Sequence, residues 1–298
     1  MRQGVLLNFG GLEDPGSYQK ARWVVVPVPY DATTSYQPGA RRGPMAILEA
    51  SAHMELYDHE VGTSPVGQGI WTIPPVTTQA SGPEAMLEAV RVAVTPLLRD
   101  EKMVLLLGGE HSITLGSVQA CRERYPDLRV LQFDAHADMR DTYEGSPFSH
   151  ACVIRRIVEL GVPVVQVGIR SMCEEEVGPL RQHRVTTFLA EHHPSAEEVV
   201  AGLNRFGSGP VYLTFDLDAL DPSIMPATGT PEPGGLLWYQ TLAILRGVAA
   251  ACPVIAADLV ELAPIPGLVA PDFLAAKLAY KLMAYVLSGK GQPLRREP

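Results

Sequence analysis

The sequence predicts an α/β fold: a single domain of three layers, helix on sheet on helix, with a mostly parallel central sheet. Three observations lead to it. Short runs rich in Val, Ile and Leu alternate with longer stretches of helical periodicity along the whole 298-residue chain, the alternation of a parallel sheet flanked by helices. Several of these runs are apolar at consecutive positions, as in Val24-Val25-Val26 and Val104-Leu105-Leu106-Leu107, which suits strands covered on both faces. No linker, repeat or low-complexity tract divides the chain, so residues 1–298 read as one unit with an N-terminal extension of about 1–20.

In chain order, the expected strands are Trp23–Val28, Met103–Leu107, Arg129–Phe133, Val164–Val167, Val185–Leu189, Val211–Phe215 and Val254–Val260. The expected helices are Met45–Tyr57, Glu84–Asp100, Thr114–Tyr125, His150–Leu160, Ala196–Phe206, Tyr239–Ala251 and Pro271–Leu287. Pro44 suits a first helical turn, and Pro194-Ser195 suits a helix start. Gly62–Pro83 and Ala227–Gly235 read as long surface or active-site loops.

Composition narrows the function classes. Apolar residues are 46% and charged ones 19%, a globular rather than disordered balance. Lys+Arg number 24 against 33 Asp+Glu, a net charge of −9, which argues against nucleic-acid or anionic-membrane partners and favours a cationic substrate. Met1–Gly16 lacks the basic and apolar regions of a secretory signal. Val248–Val260 is too short to span a membrane and contains Asp258, and Phe273–Leu287 is interrupted by Lys277 and Lys281. Cys121, Cys152, Cys173 and Cys252 form no C-x-x-C pair, so they read as buried free thiols of a soluble cytoplasmic protein.

Four polar clusters stand at the carboxyl ends of four expected strands: Gly108-Gly109-Glu110-His111-Ser112, Asp134-Ala135-His136-Ala137-Asp138, Asp216-Leu217-Asp218, and Glu261. In an open parallel sheet these ends share one edge, where ligands bind. In extended chain, Asp134, His136 and Asp138 can share a face, as can Asp216 and Asp218. Four aspartates gathered without counter-ions would be driven to take up protons. Dications remove that problem, and oxygen and imidazole donors without thiolate favour a hard ion such as Mn²⁺. Six donors exceed the needs of one ion and suit two, about 3.5–4 Å apart with a shared water. Two dications, four carboxylates and a bridging hydroxide leave about one negative charge, and Glu261 adds another. That field suits a cationic electrophile such as a guanidinium. Asp221, before Pro222, reads as a turn residue.

Together with Thr214-Phe215-Asp216-Leu217-Asp218-Ala219-Leu220-Asp221-Pro222, these motifs resemble the ureohydrolases, the arginase/agmatinase family, over about Tyr30 to Tyr285. Tyr30-Asp31, Pro38-Gly39, Gly43-Pro44 and Gly229–Leu236 are similar to further stretches of that family. The resemblance implies an arginase-like fold, two Mn²⁺ per subunit and a homo-oligomer, trimer or hexamer. It implies that His111, Asp134, Asp138 and Asp216 hold one ion, and Asp134, His136, Asp216 and Asp218 the other. A metal-bridging hydroxide would attack the guanidinium carbon, with Asp138 orienting it and passing its proton to the leaving amine. Glu261 matches the acid that pairs with the guanidinium, and His150 a histidine credited with proton shuttling or substrate positioning.

Arginases usually carry an Asn soon after D-x-H-x-D and an Asp after Gly-x-Arg; here Met139 and Ser171 follow instead. Met139-Arg140-Asp141, Ser149-His150-Ala151-Cys152 and Thr230-Pro231-Glu232-Pro233-Gly234-Gly235 are similar to agmatinases. The favoured expectation is agmatine hydrolysis to putrescine and urea. Hydrolysis of guanidinobutyrate or guanidinopropionate is a second expectation, in which Arg140 would face the cleft rather than solvent. Arginase activity, a two-metal phosphoesterase and a non-catalytic homologue are less favoured.

Overall fold

A computed structural model describes residues 7–12 and 16–289. Eight strands form one sheet: β1 (Trp23–Val28), β2 (Ile70–Thr72), β3 (Met103–Gly108), β4 (Arg129–Phe133), β5 (Val164–Ile169), β6 (Val185–Leu189), β7 (Val211–Asp216) and β8 (Val254–Val260). Their order is β2-β1-β3-β8-β7-β4-β5-β6, and every pairing is parallel. The sheet is therefore wholly parallel, where the sequence promised only a majority.

Consecutive apolar residues arise because both faces are covered. Val24, Val26, Val104, Leu106 and Val130 face one core, under α2 (Pro83–Arg99), α3 (Thr114–Arg124) and α4 (Val153–Glu159). Trp23, Val25, Leu105, Leu107 and Leu131 face the other, under α1 (Gly43–Ser51), α6 (Ala196–Asn204), α7 (Trp238–Ala251) and α8 (Ala270–Ser288). Side chains alternate across each strand, so each run supplies two cores at once. α5 (Glu174–Gln182) lies beside β6, with Leu180 against the first core.

Several expected boundaries shift for local reasons. The helix after Pro44 stops at Ser51 rather than Tyr57: the Ser51 hydroxyl donates to Leu48 O (2.6 Å) and accepts from Gly10 N (2.9 Å). Beyond it, Lys277 and Tyr280 of α8 bind the carbonyls of Glu55 and Leu56. The stretch from His150 opens as a 3-10 turn, His150–Cys152, before α4. Gly62–Pro83 is not all loop, since β2 adds three residues to the sheet edge. Ser195 caps α6 in a capping box with Glu198, as Pro194-Ser195 implied.

The expected extension of about 1–20 falls partly outside the described residues. Within it, Phe9 is fully buried and its N–H donates to Thr72 Oγ1 at 2.9 Å. Among the described residues no helix is long and apolar enough to cross a membrane.

Candidate active site

The four strands that carry the motifs, β3, β8, β7 and β4, are adjacent in the sheet. Being parallel, they deliver all four clusters to one edge. There a cleft of about 240 Å³ is lined by His136, Asp138, Asp216, Asp218, His150 and Glu261 on its polar side. Ser35, Arg140, Tyr143, Ala151, Ser171, Met172, Cys173, Glu176 and Thr230 complete its walls.

Local turns place the donors. Asp134 Oδ1 accepts from His136 N (2.6 Å) and Asp216 Oδ1 from Asp218 N (2.9 Å). Each aspartate thus caps the turn two residues on, which corrects the extended-chain expectation: these chains curl as they leave the sheet. Asp218 Oδ1 also accepts from Ala135 N at 3.0 Å, joining the two clusters. Asp138 and Glu261 both adopt left-handed backbone, φ 51° and 66°. For residues with a Cβ this costs about 1 kcal/mol or more each. Asp138 is held there because its carbonyl accepts the N–H groups of Ile154 and Arg155, both at 3.1 Å.

The donors converge on two groups. His111 Nδ1 lies 3.0 Å from Asp134 Oδ2, 3.1 Å from Asp138 Oδ2 and 3.3 Å from Asp216 Oδ2. His136 Nδ1 lies 3.0 Å from Asp218 Oδ2 and 3.6 Å from Asp134 Oδ1. His111–Asp134–Asp216 and Asp134–His136–Asp218 each bring three donor atoms within 4.8 Å of one another, with Asp134 in both. His111 Nδ1 is buried and makes no hydrogen bond despite its ring of oxygens, the surroundings a cation would complete. The donor set therefore fits a pair of hard cations.

Electrostatics agree. Burial, reinforced by the Asp134 charge, raises the Asp138 carboxyl to about 7. Burial and the Asp218 charge push Asp216 well above the carboxylate range. Burial disfavours charge on His136, yet Asp218 and Asp134 outweigh it and lift the imidazole to about 12. Left to itself the cluster balances its negative charge with protons, a task dications perform without consuming the donors.

Glu261 is 6% exposed. Its Oε1 accepts from His111 N at 2.6 Å, and burial, with Glu110 nearby, pushes its carboxyl well up. His150 sits beside the donors without joining them. Its Nδ1 is 3.4 Å from Thr33 Oγ1, its Nε2 is 3.4 Å from Ser35 Oγ, and Tyr143 meets its ring edge-on at 6.0 Å. Burial lowers its pKa to about 4, so it is neutral at pH 7.

Supporting residues explain the rest of the motifs. Glu110 accepts from Thr33 N (2.6 Å), Thr33 Oγ1 (2.6 Å) and Ser112 Oγ (2.5 Å), tying the loop after β1 to the site. Gly109 permits that approach, since a Cβ there would stand 1.8 Å from Tyr30 O. Asp221 is structural as expected, accepting from the N–H groups of Ser223, Gly234 and Gly235. His53, His59, His192 and His193 are exposed and His183 is half-buried, all outside the cleft lining.

Three features escaped the sequence reading. Arg140, expected to face solvent, lines the cleft and stacks over Tyr143 at 4.8 Å. Cys173, grouped with the buried thiols, is half-exposed and also lines the cleft. Arg170 binds the carbonyls of Asp218 (2.7 Å), Glu232 (2.8 Å), Pro233 (3.0 Å) and Gly168 (3.0 Å), clamping the loop over the site. The stretch Gly168-Ile169-Arg170 is visible in the sequence, but nothing there shows which carbonyls the arginine meets. Of the residues that replace arginase's polar pair, Met139 is buried in the core and Ser171 lines the cleft.

Comparison with known proteins gives the same picture. The Arginase family model matches residues 21–285. The N(1)-aminopropylagmatine ureohydrolase of Synechocystis sp. is 44% identical over 279 residues, 90% of each chain. The agmatinase of Halalkalibacterium halodurans is 35% identical over 251 residues, 83% of this chain and 86% of that one. The agmatine ureohydrolase structure of Thermoplasma volcanium superposes with a TM-score of 0.85 at 29% identity, covering 95% of both chains. With its motifs on one sheet edge and the match running through nearly all of its length, this chain belongs to the arginase (ureohydrolase) family and is an enzyme of the amidinohydrolase class.

Proposed function

We propose that this chain hydrolyses the guanidinium end of a linear guanidino-amine, releasing urea, at a centre of two manganese ions. One observation carries the proposal: five carboxylate and imidazole donors form two groups that share Asp134, with Asp138 Oδ2 3.1 Å from His111 Nδ1 and Glu261 bonded to His111 N. His111, Asp134, Asp138 and Asp216 would hold one ion, and Asp134, His136, Asp216 and Asp218 the other. Bound there, the ions would lower the pKa of water enough to supply a nucleophile near neutral pH.

The remaining work falls to the chain's own residues. Glu261 pairs with the planar guanidinium, whose fork of N–H donors matches a carboxylate; Gly229, lacking a side chain, leaves its Oε2 uncovered on that side. Asp138 takes the nucleophile's proton on its carboxylate and passes it to the leaving nitrogen. His150 is neutral, which supports a role in holding the substrate by hydrogen bonds over one in carrying charge. The chain acts as one ureohydrolase unit, into whose core Phe9 of the expected extension is packed. A cytoplasmic setting is supported by four free thiols, and a homo-oligomer, trimer or hexamer, by the family resemblance.

Two guanidino-amines are in view. Agmatine, yielding putrescine and urea, is supported by the motifs around Asp138 and His150. N(1)-aminopropylagmatine, which would leave spermidine, is favoured by the higher identity to the Synechocystis enzyme, 44% against 35% for the agmatinase. Arg140 in the cleft is the feature a guanidino acid would use. The test is urea release from the manganese-loaded protein with agmatine, N(1)-aminopropylagmatine, arginine, guanidinobutyrate and guanidinopropionate. The expected kcat/KM order is aminopropylagmatine, agmatine, then the others lower by at least about tenfold. Preference for arginine would overturn the meaning given to Met139 and Ser171. Preference for a guanidino acid would make Arg140 a carboxylate partner.

A further inference from the structure

Beneath the candidate metal ligands, one row of polar residues crosses five strands of a mostly apolar sheet. Gln132 of β4 is in register with Gln166 of β5 and Thr214 of β7, Gln166 with Thr187 of β6, and Thr214 with Asp258 of β8. Gln132, Gln166, Thr214 and Asp258 have no exposed surface. Polar groups so deeply buried cost stability unless hydrogen-bonded, and these are bonded in two sets, Gln166 with Gln132 and Thr214 with Asp258. Gln132 and Thr214 each stand two residues before a candidate ligand, Asp134 and Asp216 respectively.

The bonds run in one direction. Thr187 Oγ1 donates to Gln166 Oε1 (2.8 Å), and Gln166 Nε2 donates to Gln132 Oε1 (2.7 Å) and to Ala137 O (2.8 Å). Gln132 is thereby turned so that its Nε2 donates to Asp134 Oδ2 at 2.7 Å. At the other end, the Asp258 carboxylate accepts from Tyr212 OH (2.6 Å), Thr114 Oγ1 (2.8 Å) and Thr214 Oγ1 (2.7 Å). Thr114 Oγ1 also lies 3.4 Å from Thr214 Oγ1. A hydroxyl has one hydrogen, and Thr214 commits it to Asp258. Its oxygen can therefore only accept from His111 Nε2, 2.9 Å away. With the hydrogen on Nε2, the lone pair of the neutral ring is on Nδ1, the atom that faces Asp134, Asp138 and Asp216.

We propose that this row is a positioning layer: Asp258, acting through Thr214, fixes which His111 nitrogen meets the metal, and Gln132 fixes the Asp134 carboxylate. The inference rests on the binuclear centre proposed above. None of these residues touches the substrate; they act through the ligands. Outer partners of this kind are worth about 10–100-fold in metal affinity. Because His111 belongs to one donor group and Asp134 to both, the two ends of the row have different signatures.

The test titrates metal-free protein with Mn²⁺, following free ion by electron paramagnetic resonance. Thr214→Val weakens one ion by about 10–100-fold and leaves the other within about threefold; Asp258→Asn acts in the same direction. Thr214→Ser, which restores the hydroxyl, restores the affinity. Gln132→Met, at the shared ligand, weakens both ions and keeps the layer testable should Thr214→Val fail to fold. Tyr212→Phe, which removes a hydrogen bond to Asp258 outside the path to His111, lowers the melting temperature of the metal-free protein without separating the two affinities. The layer is overturned if Thr214→Val lowers melting temperature alone, weakens both ions equally, or is not rescued by serine. Wild-type protein binding fewer than two ions overturns the binuclear centre itself, and the layer with it.

Discussion

Asp134→Asn is expected to reduce urea release by at least about 10³-fold, beyond the 10–100-fold typical of an outer partner. Asp134 is fully buried and is shared by the His111–Asp134–Asp216 and Asp134–His136–Asp218 clusters. Its two oxygens divide the work: Oδ2 faces His111 Nδ1 and Oδ1 faces His136 N. An amide in its place turns one of those acceptors into a donor and removes a unit of negative charge. The variant should also lose metal. An ion present at 100 times its Kd stabilises the fold by about 2.7 kcal/mol, so the rise in melting temperature on adding Mn²⁺ shrinks in the variant. Turnover within tenfold of wild type would contradict the assigned centre.

Glu261→Gln should separate substrate binding from metal binding. The glutamine oxygen can still accept the His111 N–H that Glu261 Oε1 accepts at 2.6 Å, so the ligand's backbone stays anchored and metal content stays at wild-type level. What is lost is the charge opposite the guanidinium. Removing one member of a buried, hydrogen-bonded charge pair costs about 2–5 kcal/mol, so kcat/KM for the guanidino-amine falls by roughly 30- to 5,000-fold. Steady-state kinetics beside metal analysis reads both. Metal loss with unchanged kcat/KM in the residual holoenzyme would make Glu261 a support for His111 and nothing more.

The sheet was legible because its strands are buried on both faces, so Val and Leu run on without alternation. The site was legible because each donor cluster follows such a run, and parallel strands end on one edge. What escaped notice was short or depended on distant partners. β2 has three residues, too few for any period to register. α5 contains Gly178 and Pro179, residues that disfavour helix, and is started instead by Glu176, which accepts from Cys173 N at 2.7 Å. Asp258 read only as a charge spoiling an apolar run. Its three hydroxyl partners lie 44, 46 and 144 residues away. The left-handed backbone at Asp138 and Glu261 likewise has no local signal, since surrounding contacts hold it in place.

The most direct measurement is the number and position of metal ions in the manganese-loaded protein, by elemental analysis and anomalous X-ray scattering. Two ions per chain are expected, one among His111, Asp134, Asp138 and Asp216 and the other among Asp134, His136, Asp216 and Asp218. A single ion, or ions bound away from these donors, would contradict the account.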